Sequence, residues 1–117
     1  MIYQGKDYQR AKREAEKAIE LNPGMRLFFL DTLAWAEFQL GEYAKAKENL
    51  EESESNMKKQ GMPAEMRCSI YYHLGEIWLK EKDINKARSY FQKAVDLKSD
   101  SLEAKLASDS LKKLGSK

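Results

Sequence analysis

Cysteine, proline and glycine are scarce in this chain of 117 residues, and neither one sign of charge nor a long apolar run dominates it. The single cysteine, Cys68, excludes a disulfide within the chain and any zinc site built on several thiolates. Two prolines and six glycines, in this composition, argue against a sheet protein or a disordered tail. Lys and Arg number 21 against 19 Asp and Glu, so the net charge of +2 gives no field that argues for nucleic acid as a partner. No stretch approaches the ~18 apolar residues of a membrane span, and the opening MIYQGKDYQR lacks a signal-peptide core. The expectation is a soluble chain with no membrane insertion. Its compartment stays open: cytosol is favoured, and a periplasm fits if a signal sequence was removed.

What the chain does have is Ala, Glu, Lys and Leu, with 34% charged and 42% hydrophobic residues, the profile of an all-α protein. Three segments repeat one pattern: GKDYQRAKREAEKAIELNP, LGEYAKAKENLEESES and EKDINKARSYFQKAVDLKS. In each, an acidic and a bulky residue (Asp7-Tyr8, Glu42-Tyr43, Asp83-Ile84) precede an alanine at Ala11, Ala46 or Ala87. Four residues further stands Ala15, Leu50 or Phe91, and three beyond that Ala18, Ser53 or Ala94. This i, i+4, i+7 spacing lays small and bulky residues along one helical face, with the small ones where another helix approaches.

Upstream of the last two copies lies a matching first helix, LDTLAWAEFQLG and YYHLGEIWLKEKD. Here the chain resembles a tetratricopeptide repeat protein, whose signature reads W-x2-L-G-x2-Y, then A-x3-F, then P. Tyr71, Leu74, Gly75 and Trp78, followed by Ala87 and Phe91, match it with aromatics exchanged. In the middle copy Glu37 stands where an aromatic is usual and Lys58 where the proline would be, while the first copy keeps Pro23. The resemblance implies an α-solenoid of antiparallel helix-turn-helix hairpins in which Tyr71, Trp78 and Phe91 fill the space between helices.

The expected organisation is one domain over 1–117. Residues 1–23 form the second helix of an incomplete repeat, 27–60 a repeat with an extended second helix, 63–98 a further repeat, and 101–115 a capping helix. The alanine markers are 35 and then 41 residues apart, against about 34 in a regular array, so the second interval holds an insertion. A helix running from Tyr43 to Lys59, closed by Gly61 and followed by Pro63, would make an elongated, projecting hairpin; the functional alternative is that this projection offers Met57, Met62 and Met66 to a partner. The first helix has no hairpin partner of its own. Either the chain is excised from a longer array, the favoured reading, or the lone helix caps a natural N-terminus; with excision its face of Tyr8, Ala11, Ala15 and Ile19 is expected to be uncovered, which invites a homo-oligomer through that helix. Ser101 is a candidate N-cap of the last helix, with Leu102, Leu106, Leu111 and Leu114 as its apolar stripe.

Catalysis and cofactors are not expected. His73 lies five residues from Cys68, about 140° around a helix, which does not make a nucleophile pair. His73 with Glu76 supplies too few ligands for a metal, and no glycine-rich nucleotide loop occurs. What remains is binding. The resemblance implies a concave groove lined by the first helix of each hairpin: Phe28, Asp31, Trp35 and Phe38, then Ser69, Tyr72, Glu76, Leu79 and Lys80. Aromatic groups of this kind are enriched at interface hot spots. Relatives that grip a C-terminal carboxylate use Lys, Asn and Arg at groove positions that here hold Thr32, Trp35, Ser69 and His73, so that clamp is missing. The reading is a protein or peptide partner held in this groove by a non-catalytic scaffold. The alternative is a structural segment whose apolar faces mediate self-assembly; a regulatory piece of a longer enzyme is a third, less favoured one.

Overall fold

Several of the turns that follow helices in this protein are set by residues in the left-handed region. The computed structural model describes residues 5–115. Among these it holds six α-helices and no strand: α1 (Gly5–Leu21), α2 (Arg26–Gln39), α3 (Tyr43–Asn56), α4 (Ala64–Lys80), α5 (Ile84–Asp96) and α6 (Leu102–Gly115), with a 3₁₀ turn at Pro23–Met25. After α2 the Gly41 and Glu42 amides donate back to the carbonyls of Phe38 and Glu37, 3.1 and 2.8 Å away, with Gly41 at φ 85°. After α3 the amides of Gly61 and Met62 donate to Lys58 and Met57 in the same way, with Gly61 at φ 65°. Both are Schellman closures, which need a left-handed residue that glycine supplies without a Cβ clash.

The turn after α4 has the same bonds, Lys82 N–H to Leu79 O and Asp83 N–H to Trp78 O at 3.0 Å each, but no glycine. Lys82 itself takes φ 67°. A left-handed non-glycine costs about 1–2 kcal/mol, so Lys82→Gly is expected to stabilise the protein by about 1 kcal/mol. Thermal unfolding followed by circular dichroism should show a midpoint raised by several degrees.

The helices gather into two compact units, Met1–Asn56 and Met57–Lys117. In the first unit α2 packs on both α1 and α3. Ala15 of α1, only 5% exposed, joins Leu30 and Leu33 of α2, with Ile19 and Leu27 packed against them. This corrects the expectation of an uncovered N-terminal helix: the side that carries Ala15 and Ile19 is covered by α2. The opposite side, with Arg10, Arg13, Glu14 and Lys17, is exposed and charged, so the reason for expecting a homo-oligomer through that helix is gone. The extended second helix is also revised. α3 ends at Asn56, and Met57 and Met62 are 3% and 4% exposed rather than offered to a partner.

In the second unit α4 packs on α5, and α6 packs on both. Cys68, Ala87, Phe91, Ala94 and Ala107 form its buried centre, with Tyr71, Trp78, Leu111 and Leu114 among the residues packed around it. Gly75 sits against Phe91 at a separation that leaves no room for a side chain. Asp83 caps α5 by accepting from the Lys86 amide at 3.1 Å, and Ser101 Oγ accepts from the Ala104 amide at 3.3 Å at the start of α6. At the other end of α6, Arg88 donates to the Leu114 carbonyl at 3.3 Å, placing a cation at a helix C-terminus. Leu102, expected in the buried stripe of α6, is 65% exposed; Ala104 and Ala107 take the inner positions instead.

Candidate interaction surfaces

α2 buries Leu30, Leu33, Ala34, Ala36 and Glu37. The helical period then turns Phe28, Asp31, Trp35 and Phe38 to the other side, and all four are half-buried. Trp35 and Phe38 stack with centroids 5.2 Å apart at 19°, and Tyr43, at the start of α3, meets Phe38 edge-on at 5.3 Å. The first unit thus carries an aromatic stripe one helix long. Tyr43 extends it, although in the sequence that residue reads only as the bulky member of the repeated pattern.

The buried side of α2 carries a polar group of its own. Glu37 is 3% exposed and accepts from Asn49 Nδ2 at 2.8 Å. Burial holds its carboxyl above the ordinary carboxylate range, opposed by the Asn49 hydrogen bond and by the charge of Lys12. Lys12 reaches from α1 to Glu42 Oε1 at 2.7 Å, a bond that raises the lysine and holds Glu42 below its usual range. Arg26 clasps both carboxylate oxygens of Glu52 at 3.0 and 2.8 Å, tying the start of α2 to α3, and Ser53 Oγ donates to the Leu27 carbonyl at 3.3 Å.

In the second unit Ser69, Tyr72, Glu76 and Leu79 are half-buried and Lys80 is exposed, on one side of α4. Tyr72 and Leu79 pack against the buried centre, and the Tyr72 ring lies 5.9 Å from Phe91 and 5.6 Å from His73. Burial, then the neighbouring Glu76 and the charge of Glu103 from α6, keep the Tyr72 phenol protonated far above the ordinary tyrosine range. Sequence reasoning did not bring in Glu103, because it lies 31 residues from Tyr72 in the chain and only α6 packing against α4 brings it near. Tyr72 is therefore a packing residue with one polar edge, and this face is less aromatic in its accessible part than the α2 stripe.

His73 is 8% exposed and Cys68 fully buried. The Cys68 thiol contacts the Ala94 carbonyl at 3.6 Å and Ser101 Oγ at 3.7 Å, and burial pushes it above the usual thiol range, the opposite of an activated nucleophile. Among the described residues no three His, Cys, Asp or Glu side chains are grouped to hold a metal ion, and no helix is long and apolar enough to cross a membrane.

A family model of the tetratricopeptide repeat matches residues 68–101, which span most of α4, all of α5 and the turn before α6. No curated protein and no solved structure matches the chain significantly.

Proposed function

We propose, for a chain that carries a tetratricopeptide repeat, that it is a non-catalytic scaffold binding a peptide or helix of a partner protein, chiefly through the α2 stripe of Phe28, Asp31, Trp35 and Phe38. The repeat points to protein–protein interaction in general. The observation that supports the finer reading is the stacked, half-buried Trp35–Phe38 pair on the side of α2 that faces away from its buried residues. Rings of this size, already ordered by their own stacking, lose little freedom on binding and supply large contact area. Ser69, Glu76, Leu79 and Lys80 on α4 form a second, more polar face of the same kind, with Tyr72 anchored beside them.

A peptide selected from a display library against the whole chain supplies the ligand for the test. Trp35→Ala is expected to weaken its binding by at least about tenfold, with the helical content and oligomeric state of the protein unchanged. If instead the affinity is unmoved and light scattering shows a change of oligomeric state, the stripe is an assembly surface and the self-assembly reading takes its place.

A further inference from the structure

The two units carry opposite charge. Met57–Lys117 has 13 Lys and Arg against 8 Asp and Glu, a net +5, while Met1–Asn56 has 8 against 11, a net −3; together they make the +2 of the whole chain. Part of the positive charge is concentrated on the outer side of α5. Lys86 and Lys93, both exposed, stand seven residues apart on the same side of that helix. Lys86 Nζ lies 4.1 Å from the Trp78 ring centroid, and Lys93 Nζ lies 4.9 and 5.7 Å from those of Tyr90 and Tyr71, which are 6.2 Å from each other.

Neither ammonium takes part in an ion pair among the described residues. The acids of this helix and its cap are engaged elsewhere: Asp83 accepts from the Lys86 amide and Asp96 from Gln92 Nε2 at 2.8 Å. The lysines are thus positioned by aromatic faces and keep their charge for another acceptor. Tyr71 and Trp78 lie about 100° around α4 from Tyr72 and Leu79, so this seam is a different surface from the α4 face described above.

We propose that the α4/α5 seam docks an acidic helix of a partner protein, with Lys86 and Lys93 meeting two carboxylates and the Tyr71–Tyr90 pair meeting an apolar side chain between them. Seven residues rise about 10 Å along a helix, so carboxylates seven positions apart on a partner helix match the two lysines, and a residue midway falls over the rings. A second copy of this chain is a poorer fit. On α1 Asp7 and Glu14 have the spacing, but Glu14 is held by Arg10 at 3.0 Å. Nucleic acid is a poorer fit as well, because two lysines spaced over tilted, half-buried rings offer no continuous backbone track.

The probe is an alanine-based helix of about 20 residues with glutamates seven apart and a leucine midway, titrated calorimetrically into the full chain at low and high salt. Binding is expected that weakens with salt, falls at least about tenfold in K86E/K93E, falls likewise when the probe's glutamates become glutamines, and is unaffected by Trp35→Ala. K86Q/K93Q, which removes the charges, is the second variant in case the charge reversal disturbs folding, and at least a fivefold loss, or about 1 kcal/mol, is expected there too. Equal affinity of wild type and a folded lysine variant would overturn the proposal, as would equal affinity for the glutamine probe. So would loss with Trp35→Ala alone, which moves the site to the α2 stripe. Binding of oligo-dT with none of the peptide would make the seam a nucleic-acid surface, and salt-sensitive dimerisation abolished by K86E/K93E would make it a self-contact.

Discussion

Phe91→Ala is expected to destabilise the second unit by about 3–5 kcal/mol, the range for emptying a fully buried aromatic site. Phe91 has no exposed surface and touches Tyr72 and the backbone of Gly75. The partner substitution makes the test sharper. A Cβ added at Gly75 would lie 2.5, 2.6 and 2.9 Å from the Cε1, Cδ1 and Cζ atoms of Phe91. Alanine is the better helix former by about 1 kcal/mol, but overpacking a closed core costs about 1–3 kcal/mol, and a buried ring held on its far side cannot swing away. Gly75→Ala alone should therefore lower stability. In the Phe91→Ala background the obstacle is gone, so the same substitution should raise it. Urea unfolding of the four proteins measures this coupling; additive effects would mean that Gly75 is not there to admit the ring.

Asn49→Ala should cost about 2–3 kcal/mol at neutral pH, because it leaves the Glu37 carboxylate buried without its hydrogen-bond donor. The pH dependence carries the sign. Glu37 has a raised carboxyl in the folded protein, so it binds its proton more readily folded than unfolded. Its contribution to stability is fully present below the unfolded-state range and is lost as pH rises through the folded one. Glu37→Gln, which stays neutral and keeps an acceptor for Asn49, should accordingly be more stable than wild type near pH 7, by about 1 kcal/mol, and close to it near pH 4. Glu42 and Glu52 act in the opposite sense. Their carboxyls are lowered by Lys12 and Arg26, and the stability they add is lost as pH falls. Comparing melting curves of Glu37→Gln and wild type across that range isolates the buried acid, since the surface pairs are common to both.

Much of the hairpin architecture was legible because it rests on local rules. The Leu74, Gly75, Ala87 and Phe91 set announced its own packing, since a glycine and an alanine at helical spacing beside a ring leave few other arrangements, and all four are buried. Gly41 marked a helix end for a backbone reason that does not depend on neighbours, and Gly61 closes the turn after α3 in the same way. Ser101 was readable as a cap because its bond runs only three residues forward. What could not be read required knowing what lies across the space. The Ala15 and Ile19 side of α1 looked uncovered because a helix face carries no label for the helix that covers it, and α2 proved to be that helix. Glu37 read as a missing aromatic, whereas its meaning comes from Asn49 and Lys12 on two other helices. On the candidate surfaces, the resemblance named Phe28, Asp31, Trp35 and Phe38 together, which share one side of α2, but it gave no sign that Tyr72 would be drawn inward by Phe91.

In each unit the helices pair with the next one along the chain, α1 with α2 and α2 with α3, then α4 with α5 and α5 with α6. Among the described residues only α4 with α6 spans an intervening helix. Short loops of this kind cost little entropy to close, and chains dominated by them fold in microseconds to milliseconds. At about 5–20 residues per second, synthesis is far slower than that, so α1, α2 and α3 can assemble once Asn56 has cleared the ribosome, before α4 has emerged. The aromatic side chains of α2 are then organised before the next helix leaves the tunnel, so the first unit can complete its packing without waiting for the second.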